Sequence, residues 1–264
     1  CLVPALQAVI QGTKLPEHVD SIEAKGIQSV KVIDSKPIGA NVRSTVATYD
    51  GVFDDLRKLF ARTADAKAKG LTAGDFSYNT GKLRCPVCDG TGIITMDVQF
   101  LPDVDTICPS CGGSRYGKDA YDILWKSKEK DSVSVSLPGL LKLTVEEAAG
   151  ILHEETKIAK QLKILQDLGV CYLTLGEATP ALSGGEAQRL KLAYEMETPQ
   201  QGSVFVFDEP TIGLHPQDVK KLVLIFDHLI QLGATVIVIE HDLELVTNCD
   251  YIIDMGPWGG TEGG

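Results

Sequence analysis

Two acidic residues directly follow a short apolar run in the last third of the sequence. The run VFVF, at 204–207, has the composition of a buried parallel strand, and Asp208 and Glu209 come next. Open α/β sheets place their chemistry at the carboxyl ends of such strands, so we expect both carboxylates at one edge of a sheet. Such a pair suits one carboxylate near a metal ion and one near a water molecule, although two acids after a strand can also simply begin a loop.

A Ser-Gly-Gly sequence opens the helix predicted before this strand. Ser183 and Glu186 have capping-box spacing, so a helix over about 184–196 begins with oriented N–H groups and a positive dipole end. Gly184 and Gly185 let a ligand approach the backbone closely, which a β-carbon would block. These residues predict an anion site.

A histidine follows the next predicted strand. The apolar run at 234–239 leads into Glu240, His241 and Asp242, which would put an imidazole at the same sheet edge as Glu209. There His241 could contact a γ-phosphate or orient the attacking water. A lone histidine at a strand end is more often simply solvated, and only its neighbours favour the functional interpretation.

Two CxxC pairs predict a metal site in the middle of the chain. Pairs nineteen residues apart match a structural zinc site with four thiolate ligands, and the glycines after each pair permit tight turns. The alternative is four reduced core thiols. The predicted ligands are Cys85, Cys88, Cys108 and Cys111. Cys1, Cys171 and Cys249 lack partners at ligand spacing and are interpreted as incidental thiols.

A basic segment follows the second CxxC pair. Tyr116, Tyr121 and Trp125 are interleaved with its cations, so the segment could track phosphates and stack on exposed bases. A solvated charged face is the alternative. The candidate DNA-binding residues are Arg115, Lys118, Lys126, Lys128 and Lys130.

The elements that position these residues alternate between helices and strands, which implies a mostly parallel sheet. An apolar stripe predicts a first helix that ends at Gly12. We expect one helix over 49–70, with Val52, Leu56 and Phe60 on its buried face. Further helices are predicted from the capping box at 144–147, from the stripe at 158–165 and over 216–233. The predicted strands are 27–33, 204–207, 234–240 and 251–254.

Composition limits the class of protein. The 264 residues are enough for a full core, and no run approaches the roughly 18 apolar residues of a membrane span. We therefore expect a soluble, cytoplasmic protein with no membrane partner. A net charge of −11 argues against a dedicated nucleic-acid binder, while leaving room for a local basic face.

Together these motifs resemble a known family. LSGGEAQR, VFVFDEP and VIEHD resemble the signature, Walker B and switch-histidine motifs of ATP-binding cassette ATPases. The series VIDSKPIG, CPVCDGTG, CPSCGGSRY, TVEEA and DEPTIGLH resembles the carboxy-terminal cassette of the UvrA family, the damage-recognition ATPases of bacterial nucleotide-excision repair. This resemblance covers nearly the whole chain in family order.

The resemblance implies an α/β fold, namely an ABC-type P-loop NTPase sheet with a helical signature subdomain and an inserted zinc-binding module. The implied division is an ATPase core over 1–81 and 201–264, a zinc module over 82–130 and a signature subdomain over 131–200. The implied cofactors are structural Zn²⁺, ATP and Mg²⁺. The implied partners are DNA, a second cassette in head-to-tail arrangement, a second copy of the full-length protein and a UvrB-like helicase.

The resemblance also implies roles for single residues. Asp208 would support the Mg²⁺ shell, Glu209 would polarise the hydrolytic water and His241 would be the switch histidine. The signature residues would act on a nucleotide held mainly by the opposing cassette, with the zinc module facing DNA. These signature residues are Ser183, Gly184, Gly185 and Glu186.

Three departures from the family pattern leave alternatives open. No Walker A loop, GxxxxGK[ST], occurs in the 264 residues, so we expect weak or no ATP hydrolysis by this chain alone. Ser35 replaces the Q-loop glutamine, although its hydroxyl can still ligate a metal or hold a water. Ile212 stands where threonine is common. The alternatives are a self-resistance paralogue, a non-hydrolysing zinc module that binds DNA or protein, and a transporter-type cassette.

Overall fold

The computed structural model describes residues 1–96, 104–128, 133–196, 200–214 and 216–256. The chain forms two compact units. Unit 1 comprises Cys1–Asp34 and Gln200–Gly264, and unit 2 comprises Ser35–Pro199. Residues 35–81, which the sequence analysis grouped with the ATPase core, therefore belong to unit 2. The finer boundaries near 82, 131 and 201 stay predictions.

The described residues form short strands and helices in mixed order. The strands are β1 (Ser29–Ile33), β2 (Ile93–Met96), β3 (Val104–Ile107), β4 (Leu124–Lys126), β5 (Ser134–Ser136), β6 (Ser203–Asp208) and β7 (Thr235–Ile239). The helices are α1 (Leu2–Gln11), α2 (Val46–Tyr49), α3 (Val52–Ala61), α4 (Ala64–Ala68), α5 (Leu137–Leu141), α6 (Val145–Ile151), α7 (Thr156–Asp167), α8 (Gly184–Met196), α9 (Pro216–Gln231) and α10 (Leu243–Val246). Single 3₁₀ turns span Lys118–Asp122 and Thr179–Ala181.

Unit 1 contains a parallel sheet of three strands in the order β1, β6, β7. The central strand β6 is buried from Ser203 to Phe207, as its uninterrupted apolar run predicts. Phe207 packs against Phe226 of α9 with ring centroids 4.5 Å apart, and Leu6 of α1 joins the core around Val204. The predicted parallel sheet is confirmed.

One predicted strand is absent. Residues 251–254 have no regular structure and are exposed, with Tyr251 82% accessible. An apolar run becomes a strand only where a neighbouring strand satisfies its backbone groups. In the part of the sheet that the structure describes, β7 pairs with β6 alone, so the run at 251–254 has no such neighbour.

In unit 2 the single helix predicted over 49–70 is divided into α2, α3 and α4. Gly51, at a φ of 89°, separates the first two. Thr63 separates the last two, because its hydroxyl donates to the carbonyl of Phe60 and caps the backbone N–H of Ala66. Local side-chain hydrogen bonds thus outcompete helix continuation. The predicted core face is correct, since Val52, Leu56 and Phe60 are fully buried.

The remaining elements of unit 2 surround an apolar core. The capping box of Thr144 and Glu147 forms as predicted at the start of α6. Strands β2 and β3 form one antiparallel pair, and β4 and β5 form another. In the described parts of the chain, no helix is both long and apolar enough to cross a membrane.

Candidate functional site

The sheet edge of unit 1 carries the predicted acids and the predicted imidazole. Asp208 ends β6 and pairs in register with Ile239, the last residue of the neighbouring β7. Glu209 follows β6, and His241 lies two residues after β7. Asp208 is exposed, Glu209 is half-buried, and the side chain of His241 is 82% exposed. Two adjacent parallel strands therefore deliver these groups to one edge, where a solute can reach them.

The backbone at Glu209 adopts an uncommon conformation. Its φ of 47° lies in the left-handed region, which costs a residue with a β-carbon about 1–3 kcal/mol. The N–H of Glu209 donates to the carbonyl of Ile239 at 2.9 Å. The end of β7 therefore fixes the point at which the chain turns away from β6.

Glu240 was not among the predicted site residues. Its side chain is only 1% exposed, and its Oε1 accepts hydrogen bonds from the backbone N–H and the hydroxyl of Thr211. Its Oε2 accepts from the N–H of His241 at 3.0 Å. The sequence signal was a carboxylate next to the proposed histidine, but the pattern alone does not distinguish a buried acid from a solvated one.

The start of α8 has the predicted capping-box geometry. The backbone N–H and the hydroxyl of Ser183 both lie 2.7 Å from Oε2 of Glu186, and the N–H of Glu186 points back to the Ser183 hydroxyl. Burial alone would raise the pKa of Glu186, but hydrogen bonds from Ser183 and Tyr172 hold that pKa below its ordinary value. Glu186 is thus ionised at neutral pH and orders an exposed helix start.

Ser35 lies directly beside this helix start. A β-carbon added at Gly184 would come within 3.0 Å of the Ser35 carbonyl oxygen, so only glycine allows this close approach without a shift. Nζ of Lys191, farther along α8, donates to the carbonyl of Lys36 at 2.8 Å. The structure therefore brings the residue in the Q-loop position against Ser183–Gly185, a neighbourhood that the sequence pattern did not specify.

The four CxxC cysteines form one cluster in unit 2. Their sulfur atoms all lie within 4.8 Å of one another. The two cross-pair distances are 4.0 Å for Cys85 and Cys108 and 3.7 Å for Cys88 and Cys111. Tetrahedral zinc with Zn–S bonds of about 2.3 Å requires sulfurs about 3.8 Å apart, so the cluster fits that ion.

The surroundings affect the thiols of this cluster unequally, because burial and the neighbouring sulfurs of Cys88 and Cys108 raise the pKa of Cys111 to about 12. Burial opposes ionisation of Cys85, but the backbone N–H groups of Cys88 and Val87 lower its pKa to about 7. The N–H of Gly92 lies 3.3 Å from the sulfur of Cys88. In metal thiolate sites, such N–H donors orient the ligand sulfurs and stabilise their negative charge.

The first CxxC turn depends on Gly90. Its φ of 81° is left-handed, and a β-carbon there would overlap the carbonyl oxygen of Tyr78. We expect Gly90→Ala to lower the free energy of unfolding by about 3 kcal/mol, combining overpacking with left-handed strain. Denaturant unfolding monitored by circular dichroism measures this change.

Gly112→Ala is the matched control. Gly112 has a φ of 57°, and a β-carbon there meets no atom within 4 Å. The control therefore carries the left-handed strain without the clash and should cost about 1 kcal/mol. Equal losses for the two variants would show that the packing against Tyr78 is not what requires glycine.

Arg115 is buried, with 7% exposure, which does not fit a phosphate contact. Its guanidinium donates to the carbonyls of Val42 and Thr91, both at 2.9 Å, and stacks over the ring of Tyr78. Its own carbonyl accepts from the N–H of Cys85. Arg115 therefore joins the cysteine cluster to the core of unit 2, and contact of Arg115 with DNA stays a prediction.

Three other predicted DNA-binding cations, Lys118, Lys126 and Lys128, are exposed, and Lys130 lies outside the described residues. Lys126 and Lys128 line a cavity of about 470 Å³ together with Arg62, which the sequence analysis missed. Glu154 holds the residues that follow β4, since its carboxylate accepts hydrogen bonds from the Ser127 hydroxyl and from the N–H of Lys128. Asp65 and Glu155 also line this cavity. We call the surface the basic groove, after its three cations Arg62, Lys126 and Lys128.

The aromatic residues of the segment are mostly unavailable for stacking on bases. Tyr116 is 1% exposed and Trp125 is 5% exposed, whereas Tyr121 is 39% exposed. Tyr116 donates its hydroxyl to the carbonyl of Phe76 at 2.6 Å. Two of the three interleaved aromatics are thus core residues.

Comparisons of sequence and of structure with known proteins find relatives of the same kind. No protein-family model matches the chain. The chain is 44% identical over 251 residues, or 94% of its length, to UvrABC system protein A of Staphylococcus aureus (strain COL). It is also 44% identical over 268 residues, along its whole length, to UvrABC system protein A of Clostridium acetobutylicum. The crystal structure of UvrA2 from Deinococcus radiodurans matches 99% of the chain with a TM-score of 0.84 and 40% identity.

The chain matches only part of the length of each of these relatives. The chain spans 26% and 28% of the two curated relatives and 31% of the solved chain. The similarity therefore describes a segment of these longer proteins. At 40% identity, the structural match extends to the sequence as well as to the fold.

Proposed function

We propose, from the premise that the chain belongs to the UvrA family, that it is an ATP-binding cassette segment of a nucleotide-excision repair ATPase. In this role it would couple ATP binding and hydrolysis to DNA binding. The observation that carries the proposal is the shared carboxyl edge of β6 and β7: Asp208 and Glu209 come at the end of β6, and His241 comes two residues after β7. That edge is where parallel sheets hold nucleotide chemistry.

The residues at this edge have distinct proposed tasks. Asp208 would support the Mg²⁺ shell, and the ion, when bound, would supply neutralisation of charge on the transferred phosphoryl group. Glu209 accepts a proton from the attacking water, which is the task of a general base. His241, exposed beside them, contacts the γ-phosphate or orients that water.

The signature residues have a proposed role on a second cassette. Ser183 precedes α8 and Gly184 and Gly185 begin it, and the N–H groups and dipole of this thirteen-residue helix favour an anion such as a γ-phosphate. In a head-to-tail pair this helix start faces the nucleotide of the opposing cassette. Since the 264 residues contain no GxxxxGK[ST] loop, we propose that this chain alone hydrolyses ATP weakly or not at all.

The cysteine cluster has a proposed structural role. Zn²⁺ held by four thiolates has no open coordination position, so it supplies folding energy and no catalysis. Cys85, Cys88 and Cys108 are buried, in keeping with a scaffold. The wider proposals are a cytoplasmic protein, a dimer of the full-length form and a UvrB-like helicase partner.

DNA contact by the basic groove is tested by the salt dependence of binding. Each lost phosphate contact reduces the slope of log K against log salt by about 0.9. Replacing Arg62, Lys126 and Lys128 together with glutamine should therefore reduce the slope by about two to three, with weaker binding to every DNA sequence. Fluorescence anisotropy with a duplex at several salt concentrations measures this slope.

Three exposed lysines outside the basic groove provide a matched control, namely Lys14, Lys160 and Lys163. Their replacement removes the same formal charge and should leave the slope within about one unit of the wild type. Equal slopes for the two triple variants would assign the binding to the overall charge of the protein and contradict a groove-specific contact.

One observation keeps a second candidate open. Ser35, which is shorter than glutamine, packs against Gly184. A site without a glutamine to hold the water and the metal suits a cassette that binds nucleotide without turnover. In that case the zinc module would bind DNA or protein and the sheet would serve as a scaffold, and neutralising Glu209 would leave every measured activity unchanged.

A further inference from the structure

Glu240 combines charge with nearly complete burial. Its side chain is 1% exposed, and burying a carboxylate is costly unless hydrogen bonds replace its hydration. Three donors do so: the N–H and hydroxyl of Thr211 at one oxygen, and the N–H of His241 at the other. The carboxylate therefore connects two loops that leave the sheet from different strands.

The two loops are the ones that carry the proposed hydrolytic groups. One runs from Glu209 through Thr211, and the other begins at His241. The N–H of Glu209 donates to the carbonyl of Ile239, so two successive residues, Ile239 at the end of β7 and Glu240 after it, hold this loop. These contacts lie on both sides of the strained Glu209 backbone, whose φ is 47°.

We propose that Glu240 is a positioning residue that fixes Glu209 and His241 relative to each other. The Thr211 contacts hold the residues that follow Glu209, so they restrain a backbone conformation that is unfavourable by itself. The His241 contact fixes the turn that directs the imidazole outward, where its Nδ1 lies 3.6 Å from Oε2 of Glu240. The inference rests on the proposed ATPase function.

Substitutions at Glu240 and Thr211 that keep side-chain volume distinguish a positioning role from a contribution to packing alone. Glu240→Gln retains the shape of the side chain but leaves one acceptor oxygen for two loops. Thr211→Val retains the shape of threonine but removes one donor to Glu240. Both variants preserve volume, which keeps the loss of folding stability small.

The experiment uses a protein of the relatives' full length that contains this chain. We expect Glu240→Gln to lower kcat on the order of a hundredfold, because small displacements of reacting groups have effects of that size. The Kd for ATP should change less than about threefold, since Glu240 contacts no nucleotide in this proposal. Thr211→Val should lower kcat less, and Thr211→Ser, which restores the hydroxyl, should recover it.

Amide hydrogen exchange gives a readout that does not require turnover. Both substitutions should accelerate exchange of the backbone amide at position 211, and Glu240→Gln should also accelerate it at His241. If the wild type shows no ATP turnover, the proposed function fails while exchange still tests the connection. Wild-type kcat with unchanged exchange in Glu240→Gln would overturn the inference, as would a loss of activity matched by global unfolding while Thr211→Val remains fully active.

Discussion

Cys108→Ser is expected to abolish metal binding and unfold the module around the cysteine cluster. The sulfur of Cys108 is fully buried, 4.0 Å from that of Cys85, so a serine hydroxyl would replace a thiolate inside the ligand set. Structural zinc contributes about 10 kcal/mol or more to small modules. Arg115, whose carbonyl accepts from the N–H of Cys85, lies over the ring of Tyr78, which in turn packs against Tyr116, so loss of the module also destabilises unit 2.

The measurements are zinc content by atomic emission and the thermal midpoint with and without a chelator. Wild type should contain about one zinc ion per chain and lose thermal stability when chelated. Cys249→Ser is the control, since Cys249 is exposed and lies outside the cluster. A Cys108→Ser protein with wild-type zinc content and midpoint would refute the metal site.

The sequence predicted those helices and strands that are determined by residues close together in the chain. The helix at Gly184–Met196 follows from its capping box, and the buried strand at Ser203–Asp208 follows from an apolar run. The break in the predicted helix at Thr63 depends on a hydrogen bond of its hydroxyl, which the pattern of apolar residues does not indicate. The strand predicted over 251–254 needed a pairing partner, which no property of the run itself reveals.

The same distinction applies to the candidate site. Cysteine spacing predicted which four sulfurs come together, because each CxxC pair is a local turn. Burial was not predictable for Arg115 and Glu240, since a charged side chain becomes buried only where distant residues supply its partners. Arg62 joins Lys126 and Lys128 across more than sixty residues of sequence, a proximity that requires the fold.

Glu209→Gln is expected to abolish ATP turnover at this site while leaving ATP binding intact. Glutamine keeps the size of glutamate and its ability to accept a hydrogen bond, but it cannot take a proton from water. Loss of a general base lowers kcat by about 10²–10⁴-fold. The backbone of Glu209 is held by Ile239, so the substitution should leave the local fold unchanged.

The test compares kcat and the Kd for ATP in a protein of the relatives' full length that contains this chain. Glu244→Gln provides the control, because Glu244 lies on α10 in the same unit and pairs with Lys220 at the surface. Both variants are measured with the opposing cassette inactivated, so that turnover reports this site alone, and the control should then retain wild-type turnover. The isolated 264-residue chain should show neither turnover nor micromolar ATP binding by isothermal titration. Unchanged turnover in Glu209→Gln would exclude Glu209 as the base and favour the non-hydrolysing candidate.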